Sequence, residues 1–326
     1  MDRRTFLGTL AGGLLAAPLA AEAQQTSKVS RIGFMGLISA ASHASRVEAL
    51  RGGLRDLGYV EGKNLRIEFR WAEGRYDRLP ALAAELVRLN VDVIVTHGSA
   101  GALAAKQATA TIPIVITAVA DMLALGLVAS LSRPGGNVTG LTFFNPDVAA
   151  KRLELLKESL PALAKAGVLV NPDNPSNVLI LQGLETTAKA LKVQLQRFEA
   201  KAPSDFNQAF AAMAHQQIGA LVVHEDTMLI ANAKAIAGLA AKGRLPACGS
   251  PEFPVAGGLM AYGVNFPDMD RRAATFVAKI LKGARPGDLP VERSSNFTLI
   301  INLKTAKTLG LTLPQSVLLR ADQVIE

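Results

Sequence analysis

The 326-residue sequence is poor in cysteine, tryptophan and aromatic residues: one Cys, one Trp and 5% Phe, Trp and Tyr together. A lone Cys248 excludes an internal disulfide and a cysteine-built zinc cluster. Within the apolar stretch Leu245-Pro246-Ala247-Cys248 it reads as a small buried hydrophobe rather than a reactive thiol. The net charge of +8 is spread along the chain. Without a basic run or basic residues interleaved with aromatics, nucleic acid is not an expected partner. The charge suits solubility, or attraction to an anionic membrane surface.

The motifs of catalysis are also missing. His97, His215 and His224 are not spaced as an i, i+4 metal pair, and no His-Glu-x-x-His occurs. There is no Walker loop, and Gly33-Phe34-Met35-Gly36 is not a dinucleotide fingerprint. His97-Gly98-Ser99-Ala100-Gly101 places a serine between a strand and a helix but lacks the first glycine of a nucleophile elbow. No catalytic residue, cofactor or metal is therefore expected. An exported hydrolase using Ser99 or Glu225 is the alternative from a different class.

What is present begins with Met1-Asp2-Arg3-Arg4-Thr5-Phe6-Leu7, an uncharged apolar stretch to Ala20, and Ala21-Glu22-Ala23 before Gln24. A charged start, a short apolar run and a small-x-small site are the parts of a cleavable signal peptide, 1–23. Arg3-Arg4-x-Phe6-Leu7 resembles the twin-arginine form, the alternative being an ordinary secretory signal. No lipid-bearing cysteine follows the cleavage site. The expected product is a free periplasmic protein.

From there, β-branched runs alternate with amphipathic stretches of helical length, the pattern of βαβ units. Strands are expected at 31–37, 64–70, 92–96, 112–117 and 137–142, with helices at 45–57 and 77–89. The first helix should end at Gly58, a residue free to adopt positive φ. A second set runs through 166–171, 194–198, 220–224, 245–248 and 258–262, with helices at 176–191, 204–216 and 229–242. A late helix at 269–281 and a strand at 297–302 close the chain. The length favours two domains. The expected class is α/β: two doubly wound Rossmann-like lobes around a ligand cleft. The boundaries are 24–141 plus 266–295 for the N-terminal lobe and 142–265 plus 296–326 for the C-terminal lobe.

In open α/β sheets, ligands sit beyond the carboxyl ends of the strands, and polar residues gather there. Thr96, His97 and Ser99 follow the third strand, and Asp121 follows the fourth. Asn171-Pro172-Asp173-Asn174 and His224-Glu225-Asp226 follow strands of the second set. Each cluster can also be read as helix N-caps and turns. Helix N-termini at Ser99 and Asn177 would suit an anionic group, and Asp121, Glu225 or Asp226 an ammonium. The ligand so described is an amino acid or similar zwitterion, with Phe143, Phe144 and Tyr262 as an apolar or stacking wall.

Four segments carry a family resemblance: Arg31-Ile32-Gly33-Phe34, Leu54-Arg55-Asp56-Leu57-Gly58-Tyr59-Val60-Glu61-Gly62-Lys63-Asn64-Leu65, Trp71-Ala72-Glu73-Gly74-Arg75-Tyr76-Asp77-Arg78-Leu79-Pro80 and Arg133-Pro134-Gly135-Gly136-Asn137-Val138-Thr139-Gly140. With the closing Arg320-Ala321-Asp322-Gln323-Val324-Ile325-Glu326, they resemble the ABC-transporter substrate-binding proteins that include tryptophan and tyrosine binders. The resemblance implies a type I periplasmic binding fold with three hinge crossings, a small-molecule ligand, and a membrane permease with its ATPase as partners. A monomer is expected. A soluble sensor presenting ligand to a receptor is the alternative role. Carried over position by position, the cleft residues are Ser39, Thr96, Ser99, Asp121, Asn145, Asn171, Asn174, Glu225 and Tyr262. His97 stands where the family places a smaller residue, and Met122 where it commonly places proline.

Overall fold

The computed structural model describes residues 29–326; the signal segment expected at 1–23 lies outside them. Among the described residues, thirteen strands form two sheets. The N-lobe sheet contains β1 (Ser30–Gly36), β2 (Leu65–Trp71), β3 (Val93–Thr96), β4 (Ile114–Val119), β5 (Val138–Thr142) and the two-residue β11 (Glu292–Arg293), in the order β11-β5-β4-β3-β1-β2. All its pairings are parallel. The C-lobe sheet contains β6 (Lys165–Val170), β7 (Gln194–Glu199), β8 (Ala220–Val223), β9 (Ala247–Gly249), β10 (Met260–Val264), β12 (Phe297–Asn302) and β13 (Gln323–Ile325). Its order is β13-β12-β10-β9-β8-β6-β7, with only β10 and β12 antiparallel.

The central strands are buried end to end, as sheets covered by helices on both faces require. Their richness in Val, Ile and Leu follows from that burial. Gly140 shows the tightest approach: a Cβ there would come within 2.0 Å of the Ile116 carbonyl oxygen, so only glycine lets β5 lie against β4. The first helix, Ala44–Asp56, ends as its sequence suggests. Gly58 takes φ +89° and its N–H donates to the Arg55 carbonyl.

The chain passes between the sheets three times: after β5, between β10 and β11, and between β11 and β12. At the first crossing Phe144 is held at φ +53°, a costly conformation for a bulky side chain. The Arg293 guanidinium lies 4.6 Å from its ring centroid and pairs with Asp147 at 3.1 Å, joining the first crossing to the third. The helix Phe266–Leu281 returns to the N-lobe, where Phe266, Met269, Ala273, Phe276, Val277 and Ile280 enter the core. Burying each of its larger side chains contributes about 1.5–3 kcal/mol. An aspartate at Val277, which is fully buried, would leave an unpaired charge in that core. Among the described residues no helix is long and apolar enough to cross a membrane.

Candidate functional site

The carboxyl ends of β1, β3 and β4 in one lobe face those of β6 and β8 in the other. Between them lies a narrow cavity, about 440 Å³ when the open solvent space at its mouth is included. Its N-lobe wall includes Leu37, Arg46, Tyr76, His97, Ser99, Val119, Phe143 and Phe266, and its C-lobe wall Asn174, Ser176, Glu225, Thr227 and Ile230. A wider opening of about 1090 Å³ lies outside, bordered by Ser39, Arg75, Asp173, Lys201 and Asn232. Tyr76 borders both spaces. Its hydroxyl donates to Asp226 Oδ2 at 3.0 Å, a direct bond from one lobe to the other.

The two walls each contain an arginine–carboxylate pair, turned in opposite senses. On the N-lobe side Arg46 lines the cavity, and Asp270, 1% exposed, stands behind it. Arg46 Nε donates to Asp270 Oδ2 at 2.5 Å and Nη2 to Oδ1 at 3.3 Å, while the guanidinium packs 4.7 Å from the Phe266 ring centroid. On the C-lobe side Glu225 lines the cavity, and the fully buried Arg152 stands behind it. Arg152 donates through Nε to the Tyr262 carbonyl at 2.8 Å and through Nη1 to the Val223 carbonyl at 2.9 Å, and its Nη2 contacts Glu225 Oε2. Burial pushes the Glu225 carboxyl above its ordinary range and Arg152 pulls it back. A buried guanidinium needs an anion beside it, and Glu225 is that anion. Beyond the ion pair with Arg152, neither Glu225 oxygen has a hydrogen bond of good geometry, so the carboxylate keeps accepting capacity at the cavity wall.

Asp226 is the opposite case. Its oxygens accept from Tyr76 Oη, Asn174 Nδ2, Asn171 Nδ2 and the backbone N–H groups of Met228 and Leu229. It caps the helix Thr227–Ala231, and both of its oxygens are already engaged within the protein. Burial raises its carboxyl, opposed by the bonds from Tyr76 and Asn174. Asn174 reaches the cavity while its Oδ1 accepts from the Ser176 N–H and hydroxyl. Asn171 takes the Asp173 N–H on Oδ1 and lies behind the wall.

The remaining expected site residues divide by position. His97 and Ser99 line the cavity, Ser99 in the first turn of the helix Gly98–Ala108. Ser39 borders the outer opening and bonds Ser42. Thr96 is turned into the sheet, its hydroxyl donating to the Met35 carbonyl at 2.9 Å. Asp121 caps the turn after β4 through the N–H groups of Leu123 and Ala124, off the cavity wall. Tyr262 stacks on Phe297 across β10 and β12, also off the wall; its carbonyl, not its ring, serves the site by holding Arg152. Asn145 opens the helix Asn145–Ser159. Of the three aromatic residues expected as a wall, only Phe143 lines the cavity.

Arg46, Arg152 and Asp270 lie within helices, away from the strand ends where site residues were sought. A signal was present for Arg152. It sits on the stripe Val148, Ala149, Leu155, Leu156, where every other position is apolar and buried. His43 is similar, placed one turn before Val47 and Leu50 on the buried face of its helix. It stacks on His97 with ring centroids 4.2 Å apart and planes at 20°, beside Phe34 and Trp71. Burial, then Arg46, holds His43 down to about 2; burial, then His43 and Arg46, holds His97 well below the usual histidine range. Both rings are neutral.

The profile of the family described as ABC transporter substrate binding protein matches residues 31–325. A tyrosine-binding protein of Clostridioides difficile (strain R20291) is 30% identical over 282 residues, covering 85% of this chain and 81% of that protein. Among solved structures, an ABC domain from Streptococcus pneumoniae in complex with L-Trp is 26% identical. It covers 91% of this chain and 99% of its own, with a TM-score of 0.84. The ligand-free, open structure of a substrate-binding protein with adhesive properties from Clostridium difficile has the same identity and coverage but a TM-score of 0.65. The chain as a whole therefore superposes better on the ligand-bound structure than on the open one. The fold, the cleft and these likenesses agree: the chain belongs to the ABC transporter substrate-binding protein family.

Proposed function

We propose that this protein is the exported, periplasmic component of an ABC importer and captures an amino acid with an aromatic or apolar side chain. The observation that carries the reading is the opposed presentation of charge. Arg46 enters the cavity from one lobe to meet a carboxylate, and Glu225 enters from the other to meet an ammonium. A zwitterion with one group on each lobe stabilises the closed arrangement, because both contacts are made at once only when the lobes meet. Leu37, Val119, Phe143, Ile230 and Phe266 leave an apolar space for the side chain. Closure presents the paired lobes to a permease, whose ATPase drives uptake.

The protein acts by binding and release, without chemistry on the ligand. Ser99 has no histidine base bonded to it, and Glu225 is engaged by Arg152. Two supports for the ligand class come from relatives, one named for binding tyrosine and one solved with L-Trp. The test is calorimetric titration of purified protein with L-tryptophan, L-tyrosine, aromatic acids lacking the amino group, and sugars. Binding of the amino acids and weaker binding of the des-amino acids is expected. Heat from sugars alone would overturn the reading.

A further inference from the structure

The N-lobe end of the cavity contains polar atoms that neither charged pair uses. His97 lines the cavity, is 1% exposed, and its Nε2 has no hydrogen-bond partner. His43, also 1% exposed, lies face to face with it, and both of its ring nitrogens lack partners. Around them stand Phe34, at 5.9 Å from the His43 ring and 6.4 Å from the His97 ring, and Trp71, at 6.0 Å from His43. Three unsatisfied buried nitrogens in one place are a cost that phenylalanine or leucine would avoid while filling similar space. A metal does not account for them. Stacked rings cannot direct two lone pairs to one point, and no group of three ligating side chains occurs among the described residues.

We infer that His97, with His43 stacked against it, forms a specificity subsite that takes a hydrogen-bonding atom on the ligand's side chain. The preferred ligand is then an aromatic amino acid whose ring carries an N–H or O–H group, over one whose ring is all carbon. A neutral imidazole has one bare nitrogen and one N–H, so it can accept from an indole or phenol or donate to a phenol oxygen. A buried site of this kind discriminates by leaving its own polar atom unpaired when the wrong ligand enters. The inference rests on the amino-acid reading above and adds the part of the ligand that the Arg46 and Glu225 contacts do not read.

The experiment titrates wild type, His97→Leu and His97→Gln with L-tryptophan, L-tyrosine and L-phenylalanine, with a thermal melt of each protein as a check on folding. Wild type is expected to bind tryptophan or tyrosine at least about tenfold more tightly than phenylalanine. His97→Leu should bring that ratio within about threefold while phenylalanine still binds, and His97→Gln, which keeps a donor and an acceptor, should restore part of it. Equal affinity for phenylalanine in wild type, or an unchanged ratio in His97→Leu, overturns the inference and leaves the amino-acid reading intact. If His97→Leu does not fold, the wild-type ratio and the His97→Gln ratio decide. Absence of binding to all three amino acids overturns the amino-acid reading itself.

Discussion

The Arg46–Asp270 and Arg152–Glu225 pairs have the same chemistry and opposite orientation. In the N-lobe the carboxylate is fully buried and the arginine meets the cavity; in the C-lobe the arginine is fully buried and the carboxylate meets it. Arg46 and Asp270 bind each other through two hydrogen bonds, so Asp270 holds the guanidinium in place at the cavity wall. Arg152 is tied instead to two backbone carbonyls, leaving the Glu225 oxygens without well-formed bonds. A buried ion pair is thus not simply a stabilising contact. Which partner is anchored elsewhere decides which charge is offered to a guest.

Breaking the anchored side of the C-lobe pair has the largest expected effect. Arg152→Met leaves Glu225 buried without a counter-charge and should cost about 3–5 kcal/mol in denaturant unfolding. A loss below about 1 kcal/mol would mean that the pair is not the support described. Glu225→Gln is next. It should weaken binding of an L-amino acid by about 1.5–3 kcal/mol, roughly 10- to 150-fold, yet leave the corresponding acid without an amino group little changed. Equal losses for both would remove the assignment of Glu225 to the ammonium.

The histidines sharpen the comparison by pH. His43 at about 2, His224 at about 3 and His97 well below the usual range stay neutral in the fold, whereas unfolded histidine titrates near 6.5. The unfolded chain therefore takes up protons first, and stability falls as pH drops below 6.5, by at most about 1.4 kcal/mol per unit for each histidine. Trp71, the only tryptophan and a neighbour of His43, reports this through its fluorescence melt. His43→Phe should make the slope shallower, and an unchanged slope would count against a buried neutral His43. The smallest effect belongs to Tyr76→Phe, which removes one bond between the lobes and should speed ligand release up to about tenfold. Identical stopped-flow release rates would show that the bond does not hold the closed form.

Strand positions were legible because β-branched runs and turn residues mark them directly. The 297–302 strand coincides with its expected range, and most others shift by one or two residues. β11 and β13 were not read, being two and three residues long and defined by their neighbours rather than by pattern. The helix Asn145–Ser159 was also unread, and the one expected at 229–242 is interrupted at Asn232, whose side chain bonds the Met228 carbonyl. At the site, polar residues after strands correctly marked the cleft, but type and position did not reveal which had spare capacity. Glu225 and Asp226 are adjacent and chemically alike; only the hydrogen bonds that each already makes distinguish an offered carboxylate from an occupied one.

The three crossings also set an order of assembly. The N-lobe core draws on Val264, Phe266, Met269, Ala273, Ala274, Phe276, Val277 and Ile280, and its edge strand is residues 292–293. A nascent chain that has synthesised all of β1 to β5 still lacks the helix that seals them. At about 5–20 residues per second, that gap lasts many seconds. The first lobe to emerge from the ribosome is therefore unable to finish until most of the second has been made, and the chain must remain unaggregated through that interval.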